Sequence, residues 1–431
     1  MPDFKIETVW INSDEHARLL QNTTAALTMR VDGEALTRNI NGWTGKEEES
    51  VVVSTYPLAK WFAFNWWRLA NEFLPLDGGK PDFDWRTAHE MGAVNHGYVW
   101  PKVLFVSDGD FVNVWADVIP TPEQSVNYLG KLESVHPIPV GSFQKEVASV
   151  IEATIDRLDG LDAALPELWK VVCEDMQNAK LRNIRAIEAI LGYDPEECPE
   201  ERLNMALQFQ KKTGMSSVKE ILPFLSSSEQ LKQCLEDGKG MEIHLQIGLE
   251  TVASSENADV LPWQKGVGVA RRLRQACGFG DDAIGNKELL DLLGIPSNGF
   301  EEYYRYSEDV PLSVGKNRRD GGWTFVPKKK RMMAGRRFEL SRLLGDALMF
   351  KDSHRQWLVT SDYKTARQKV QRAFAAEFLC PISGLDSFMD GDYSKAVQKK
   401  AAEHYQVSEQ TVNSVLMNNN RIDHCEPVFP Y

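Results

Sequence analysis

The chain has 431 residues, 42% hydrophobic and 26% charged, an ordinary globular balance with material for two or three packed domains. No apolar run reaches the roughly 18 residues that a bilayer crossing needs, and "MPDFKIETVWINSDEHARLL" lacks a basic segment followed by an apolar one, so we expect a cytoplasmic chain with no membrane partner. The net charge of −13 is uneven: residues 1–258 hold 23 Lys+Arg against 40 Asp+Glu, and residues 259–431 hold 26 against 22, an acidic front that argues against a nucleic-acid surface there.

Residues 1–140 are expected to form a mixed α and β domain rich in aromatics. "ESVVVSTYPLA" is β-branched and reads as a strand. "KWFAFNWWRLANEFL" places apolar residues at helical spacing and predicts a buried helix. In "KVLFVSDGDFVNVWADV", Asp108-Gly109 between two strand-like runs predicts a hairpin. Trp10, Trp43, Trp61, Trp66, Trp67, Trp85, Trp100 and Trp115 all fall in this segment, and we read them as an aromatic core rather than a base-stacking surface. His89 and His96 in "AHEMGAVNHGY" come nearest to a histidine cluster, but Gly92 and Gly97 argue against a continuous helix between them.

Residues 141–258 read as a helical region, a connector or small bundle, from "FQKEVASVIEATIDRLDGLDAALPELWKVVCEDM" and "EERLNMALQFQKKTG". Ser226–Ser228 before Glu229 resembles a helix start, and "TVASSENADVLP" a linker. The six cysteines, Cys173, Cys198, Cys234, Cys277, Cys380 and Cys425, form no C-x-x-C pair and are expected to be reduced and structural. Cys425 beside His424 reads as chance adjacency.

From residue 259 on, "WQKGVGVARRLRQACG" and "NKELLDLLGI" predict helices. Short strands about a Gly321-Gly322 turn follow, and then the helices "RRFELSRLLGDALMF" and "SDYKTARQKVQRAFAAEFLCP". In "KKAAEHYQVSEQTVNSVLMNN", Ala401, Tyr405, Val407 and Val412 fit the core positions of a helix-turn-helix, with Ser408 as cap and Gln410, Thr411, Asn413 and Ser414 on the second helix.

Three phrases in this order, "RFELSRLLGD", "RAFAAEFLCP" and "YQVSEQTV", resemble the ImmA/IrrE family of zinc metallopeptidases. The resemblance implies an α+β chain whose residues 259–431 form a zincin-like domain ending in a helix-turn-helix-like element. A hydrolytic zinc needs three His or carboxylate ligands and a water, with H-E-x-x-H supplying two ligands and a general base from one helical face. Carried over by position, the two His are Arg342 and Asp346, the base is Leu343 and the third ligand falls near Gln368. Arg and Leu can do neither job. We therefore expect no catalytic residue, no metal and no cofactor, with the helix kept as packing by Phe338, Leu340, Leu344, Ala347 and Leu348. Arg342 and Asp346, four apart, are expected either to pair inside the former metal cavity or to form an ordinary solvent-facing pair.

"KNRRDGGWTFVPKKKRMMAGRR" carries nine Lys/Arg. Arg318, Arg319, Trp323, Lys328, Lys329, Lys330, Arg331, Arg336 and Arg337 are its candidate contacts to a protein partner or to nucleic acid, unless the ribbon is simply a solvated hairpin. The expected function is a catalytically inactive metallopeptidase-like protein that binds a protein partner in bacterial regulation, such as stress response or phage defence. The alternatives are a DNA-binding regulator using the ribbon and terminal helices, and a metallopeptidase with an atypical site.

Overall fold

The computed structural model describes the chain except for residues 1–2, 16, 77–79, 120–123, 226–239, 246–260, 298–299, 302–303, 305–309, 319–321, 350–356 and 424–431. The fold is mixed α and β and divides into two compact units between Leu203 and Asn204. No helix among the described residues is long and apolar enough to cross a membrane. The helix start expected at Ser226 and the linker expected from Thr251 lie outside the described residues, as do His424, Cys234 and Cys425.

The first unit begins with β1 (Phe4–Trp10), α1 (Arg18–Asn22), β2 (Thr24–Val31), β3 (Glu34–Ala35), β4 (Asn39–Asn41), β5 (Glu47–Glu48) and β6 (Val51–Ser54). All of β1 pairs antiparallel with β2, from Phe4 opposite Val31 to Trp10 opposite Ala25, and β3 and β6 also pair with β2. The predicted strand and helix meet earlier than expected. "TYPLA" opens α2 (Thr55–Phe64), because Ser54 caps it by accepting from Tyr56 N at 3.3 Å and Pro57 sits in the first turn, where no donor is needed. The predicted single helix is two. At Asn65 the side-chain Nδ2 donates to Trp61 O at 2.9 Å, and the chain restarts as α3 (Trp66–Asn71).

After α4 (Phe83–His89) comes the expected hairpin of β7 (Lys102–Ser107) and β8 (Phe111–Asp117), antiparallel from Lys102 opposite Asp117 to Ser107 opposite Val112. Gly109 has φ +100° and Asp108 Oδ1 accepts from Phe111 N at 2.9 Å, so the Asp-Gly signal works through both residues. β9 (Val126–Tyr128) joins β4 and β5, and β10 (His136–Pro139) extends the hairpin sheet. α5 (Val140–Leu158), α6 (Ala164–Gln177) and α7 (Ala179–Ile190) complete the unit. They share one core with the preceding strands. Phe143 of α5 lies 5.4 Å from both Phe4 and Phe105 between ring centres. Trp61, Trp66, Trp67, Trp85 and Trp100 are buried as expected, whereas Trp43 is 87% exposed.

α8 (Glu200–Thr213) contains the point of division and leads to α9 (Met215–Leu225). The stretch expected to be helical throughout also holds a strand, β11 (Met241–Ile243), which pairs with a strand of the second unit. That unit continues through α10 (Pro262–Ala276), α11 (Asn286–Leu293), β12 (Ser313–Asn317), β13 (Trp323–Val326), α12 (Met333–Met349), β14 (Trp357–Thr360) and α13 (Ala366–Leu379). It ends with α14 (Ile382–Met389), α15 (Lys395–Tyr405) and α16 (Glu409–Asn418). The sheet runs β11-β13-β12-β14, antiparallel throughout. α12 and α13 approach closely where Gly345 leaves room: a Cβ there would stand 2.5 Å from Phe374 Cδ1.

Candidate functional site

α12 and α13 carry the positions that the family resemblance assigns to zinc chemistry. Arg342, Leu343 and Asp346 lie on α12, and Gln368 lies in the first turn of α13, where Thr365 caps the helix. α12 has little solvent face. Arg337, Glu339, Ser341, Arg342 and Asp346 are buried together with Leu340, Leu343 and Leu344. A buried charge is tolerated only when it is paired and hydrogen-bonded, so the neighbouring elements must supply partners.

They supply two separate clasps. Arg342 donates from Nη2 to Ser361 O at 2.6 Å and to Gln368 Oε1, and from Nη1 to Glu339 Oε2 at 3.3 Å. Gln368 Oε1 also accepts from Ser361 N at 3.0 Å, and its Nε2 donates to Val359 O at 3.0 Å. Glu339 is held from the sheet by the hydroxyls of Ser313 and Thr360. Asp346 takes Arg367 in a two-pronged pair, Nε to Oδ1 at 2.9 Å and Nη2 to Oδ2 at 2.5 Å, and accepts from Val359 N at 3.2 Å. Arg367 reaches on to Ser216 O at 3.2 Å and Ser217 Oγ at 3.3 Å of α9.

The expected Arg342–Asp346 pair is therefore not made, either in a cavity or in solvent. The planar fork of Arg367 matches both carboxylate oxygens of Asp346, while the Ser361 carbonyl, Gln368 and Glu339 hold Arg342 elsewhere. Burial pushes the Arg367 guanidinium down, but the charges of Asp346 and Glu220 outweigh it and keep it above its ordinary value. Glu220 of α9 accepts from Thr365 Oγ1 at 2.5 Å and Ser361 Oγ at 3.1 Å. Its complete burial still raises its carboxyl above the usual range, against those bonds and the pull of Arg367. Arg372 is pushed down to about 10 by burial and then by Arg342.

These residues do not fit a zinc ion. Both Asp346 oxygens are engaged by Arg367 and Val359. A guanidinium offers no lone pair, and the amide oxygen of Gln368 is already shared between Arg342 and Ser361. Leu343, at the base position, packs over the sheet, its Cδ1 3.2 Å from where a Cβ on Gly315 would be. Sequence reasoning missed Arg367, Glu339 and Glu220. Arg367 adjoins a residue already singled out, but nothing local marks Glu220, which lies 141 positions from Ser361.

The basic ribbon is partly consumed inside the unit. Arg318 pairs with Glu242, Lys328 with Asp362 at 2.5 Å, and Arg336 with Glu301 at 3.3 Å, stacking on Tyr304 with 4.5 Å to the ring centre. Arg337 is 1% exposed. Trp323 and Lys330 are half-buried, Lys329 and Arg331 are exposed, and Arg319 lies outside the described residues. In the terminal helices Ala401, Tyr405, Val407 and Val412 are buried, and Ser408 Oγ accepts from Thr411 N at 3.1 Å. Asn413 on the second helix accepts from Lys395 Nζ at 2.8 Å.

In the first unit His89 is fully buried, its ring nitrogens at Phe105 O (2.8 Å) and Glu72 Oε2 (3.0 Å), and it stacks on Trp85. His96 is exposed in a left-handed turn with φ 60°. The two histidines do different things: one is a core tie and the other a turn residue. Cys173, Cys198, Cys277 and Cys380 are free thiols. Compared with known proteins, the chain matches no family model, no curated protein and no solved structure, so the ImmA/IrrE resemblance rests on its three short motifs alone.

Proposed function

We propose that the second unit is a zincin-like domain of ImmA/IrrE type that has exchanged its metal for fixed ion pairs and acts by binding a protein partner, in bacterial regulation or defence. The observation that carries this reading is the pair of clasps, Arg342 with Gln368 and Ser361, and Asp346 with Arg367. A zinc ion joins two helices and polarises a water. The guanidinium clasps do the joining and leave no acidic water. What such a domain keeps is surface, and the ribbon residues Lys329 and Arg331 are exposed on it. The internal pairing of Arg318, Lys328 and Arg336 weighs toward a protein partner over a phosphate backbone.

The test uses the full chain equilibrated with zinc and then dialysed. Elemental analysis is expected to find well under one zinc per chain, and denatured-protein substrates are expected to stay intact. One tightly held zinc that is lost in Asp346→Ala would overturn the reading. Capture from the native host is expected to retain its partner after nuclease treatment. Recovery of nucleic acid alone, with retention that falls steeply with salt, would replace the protein partner by a nucleic-acid one.

A further inference from the structure

We infer that the pocket between the first turns of α11 and α12 binds a small organic monoanion, an apolar body carrying one carboxylate, with Arg337 as the charge that selects it. The pocket measures about 260 Å³. Its walls include Leu289, Leu290, Phe300 and Leu340, with Lys287 exposed at its rim. A concave apolar site with a few polar groups is the usual form of a small-molecule site, and this volume falls just below the range of about 300–1,000 Å³ that suits drug-sized ligands. The ligand is accordingly smaller.

Arg337 gives the pocket its chemistry. It is 1% exposed. Nη1 donates to Asn286 Oδ1 at 2.7 Å and Nη2 to Ile284 O at 2.5 Å, while the buried Nε has no hydrogen-bond partner. Both partners are neutral. Burial pushes this guanidinium down to about 10, and Glu288 opposes that only through space. The contrast within the unit is direct: buried Arg342 touches Glu339, and buried Arg367 grips Asp346. Arg274 also meets only carbonyls, but all three of its nitrogens are engaged. Arg342 Nε is likewise unpartnered, but Arg342 has Glu339 beside it. Among these four, Arg337 alone combines an unpartnered donor with no carboxylate partner, and it lies on the wall of a cavity.

The other charged groups of the pocket do not reverse this sign. Asn286 and Lys287, on the pocket wall, open the eight-residue helix α11, whose first turn already carries Glu288 close against Gly285, so Lys287 and Arg337 rather than the helix end supply the pull on an anion. The pocket's carboxylate, Glu301, is exposed and already paired with Arg336 at 3.3 Å, so it does not oppose entry. The leucine and phenylalanine walls favour a hydrocarbon or aromatic body over a bare inorganic ion.

The experiment is calorimetric titration of the full chain with phenylacetate, hexanoate and neutral phenylacetamide. The carboxylates are expected to bind and to raise the melting temperature, and phenylacetamide to bind at least tenfold more weakly. Arg337→Met is expected to erase that preference. Because this change also removes bonds to Asn286 and Ile284, Met333→Trp serves as a second variant. Met333 also lines the pocket, from a half-buried position one helical turn before Arg337, so the change fills the space while keeping the guanidinium in the chain, and is expected to weaken carboxylate binding at least tenfold at an unchanged melting temperature. Equal binding of phenylacetate and phenylacetamide, undiminished binding by a folded Met333→Trp, or no binding at millimolar carboxylate would each overturn the inference and leave Arg337 as a strut between α11 and α12.

Discussion

At the scale of single residues, the second unit shows how buried charge is made tolerable. Asp346 is 0% exposed and Arg367 9%, so neither can turn to water if the other is lost. Asp346→Ala and Arg367→Met are each expected to cost about 3–5 kcal/mol in urea unfolding, and the double variant to cost clearly less than the two losses added. Additive losses would show that the two side chains do not act as a pair. Glu220 gives a pH signature of opposite sign to ordinary acid denaturation. Its folded value lies above the unfolded one, so its contribution to stability is complete below about pH 4.3 and is lost as pH rises through the folded value. Measured against Glu220→Gln, the wild-type unfolding free energy is expected to fall as the pH rises from about 4.3 toward and through the raised folded value. Arg342, Leu343 and Gln368 were visible in the sequence as wrong residues for a metal site, and Asp346 as a lone carboxylate. Their real partners were not, because a hydrogen bond between Arg342 and Ser361 or between Thr365 and Glu220 leaves no trace in spacing.

At the scale of elements, periodicity found most helices and misjudged where several begin. α10, α11, α12 and α13 fall where the apolar spacing placed them, and the hairpin at Asp108-Gly109 closes as its turn chemistry requires. The misplacement at Ser54 and the break at Asn65 arise from side-chain hydrogen bonds that compete with the backbone ladder. The apolar stripe expected on α12 is there, but so is buried charge around it, since the helix is enclosed by the sheet, α10, α11 and α13 rather than laid on a surface. Close approach of helices is the other element-scale device. A Cβ on Gly266 of α10 would collide with Val370 O and lie 3.0 Å from Phe374 N on α13. Gly266→Ala is therefore expected to lower stability by about 1–3 kcal/mol through overpacking, outweighing a gain of about 1 kcal/mol in helix propensity, because backbone atoms cannot rotate aside as a side chain can. An unchanged melting temperature would mean that the two helices separate freely.

At the scale of the whole molecule, each unit has its own hydrophobic core, one drawn from Phe4 to Ala189 and the other from Met241 to Leu416. A fragment ending at Pro199 is therefore expected to fold alone, giving a near-ultraviolet circular dichroism spectrum from its packed tryptophans and a single cooperative urea transition. A featureless spectrum would count against an independent core. By itself the sequence determined the α and β classes of most segments, the aromatic filling of the first core and the unsuitability of Arg342, Leu343 and Gln368 as ligands or base. Those are properties of residue type and of short-range period, which chain order carries directly. Only the tertiary structure decided which carboxylate meets which guanidinium, that α5 to α7 share a core with the strands before them, and that Arg337 is buried at a pocket without a carboxylate to hold it. Such pairings join residues far apart in the chain, and their energies come from the burial and dielectric of a packed interior that no local pattern encodes.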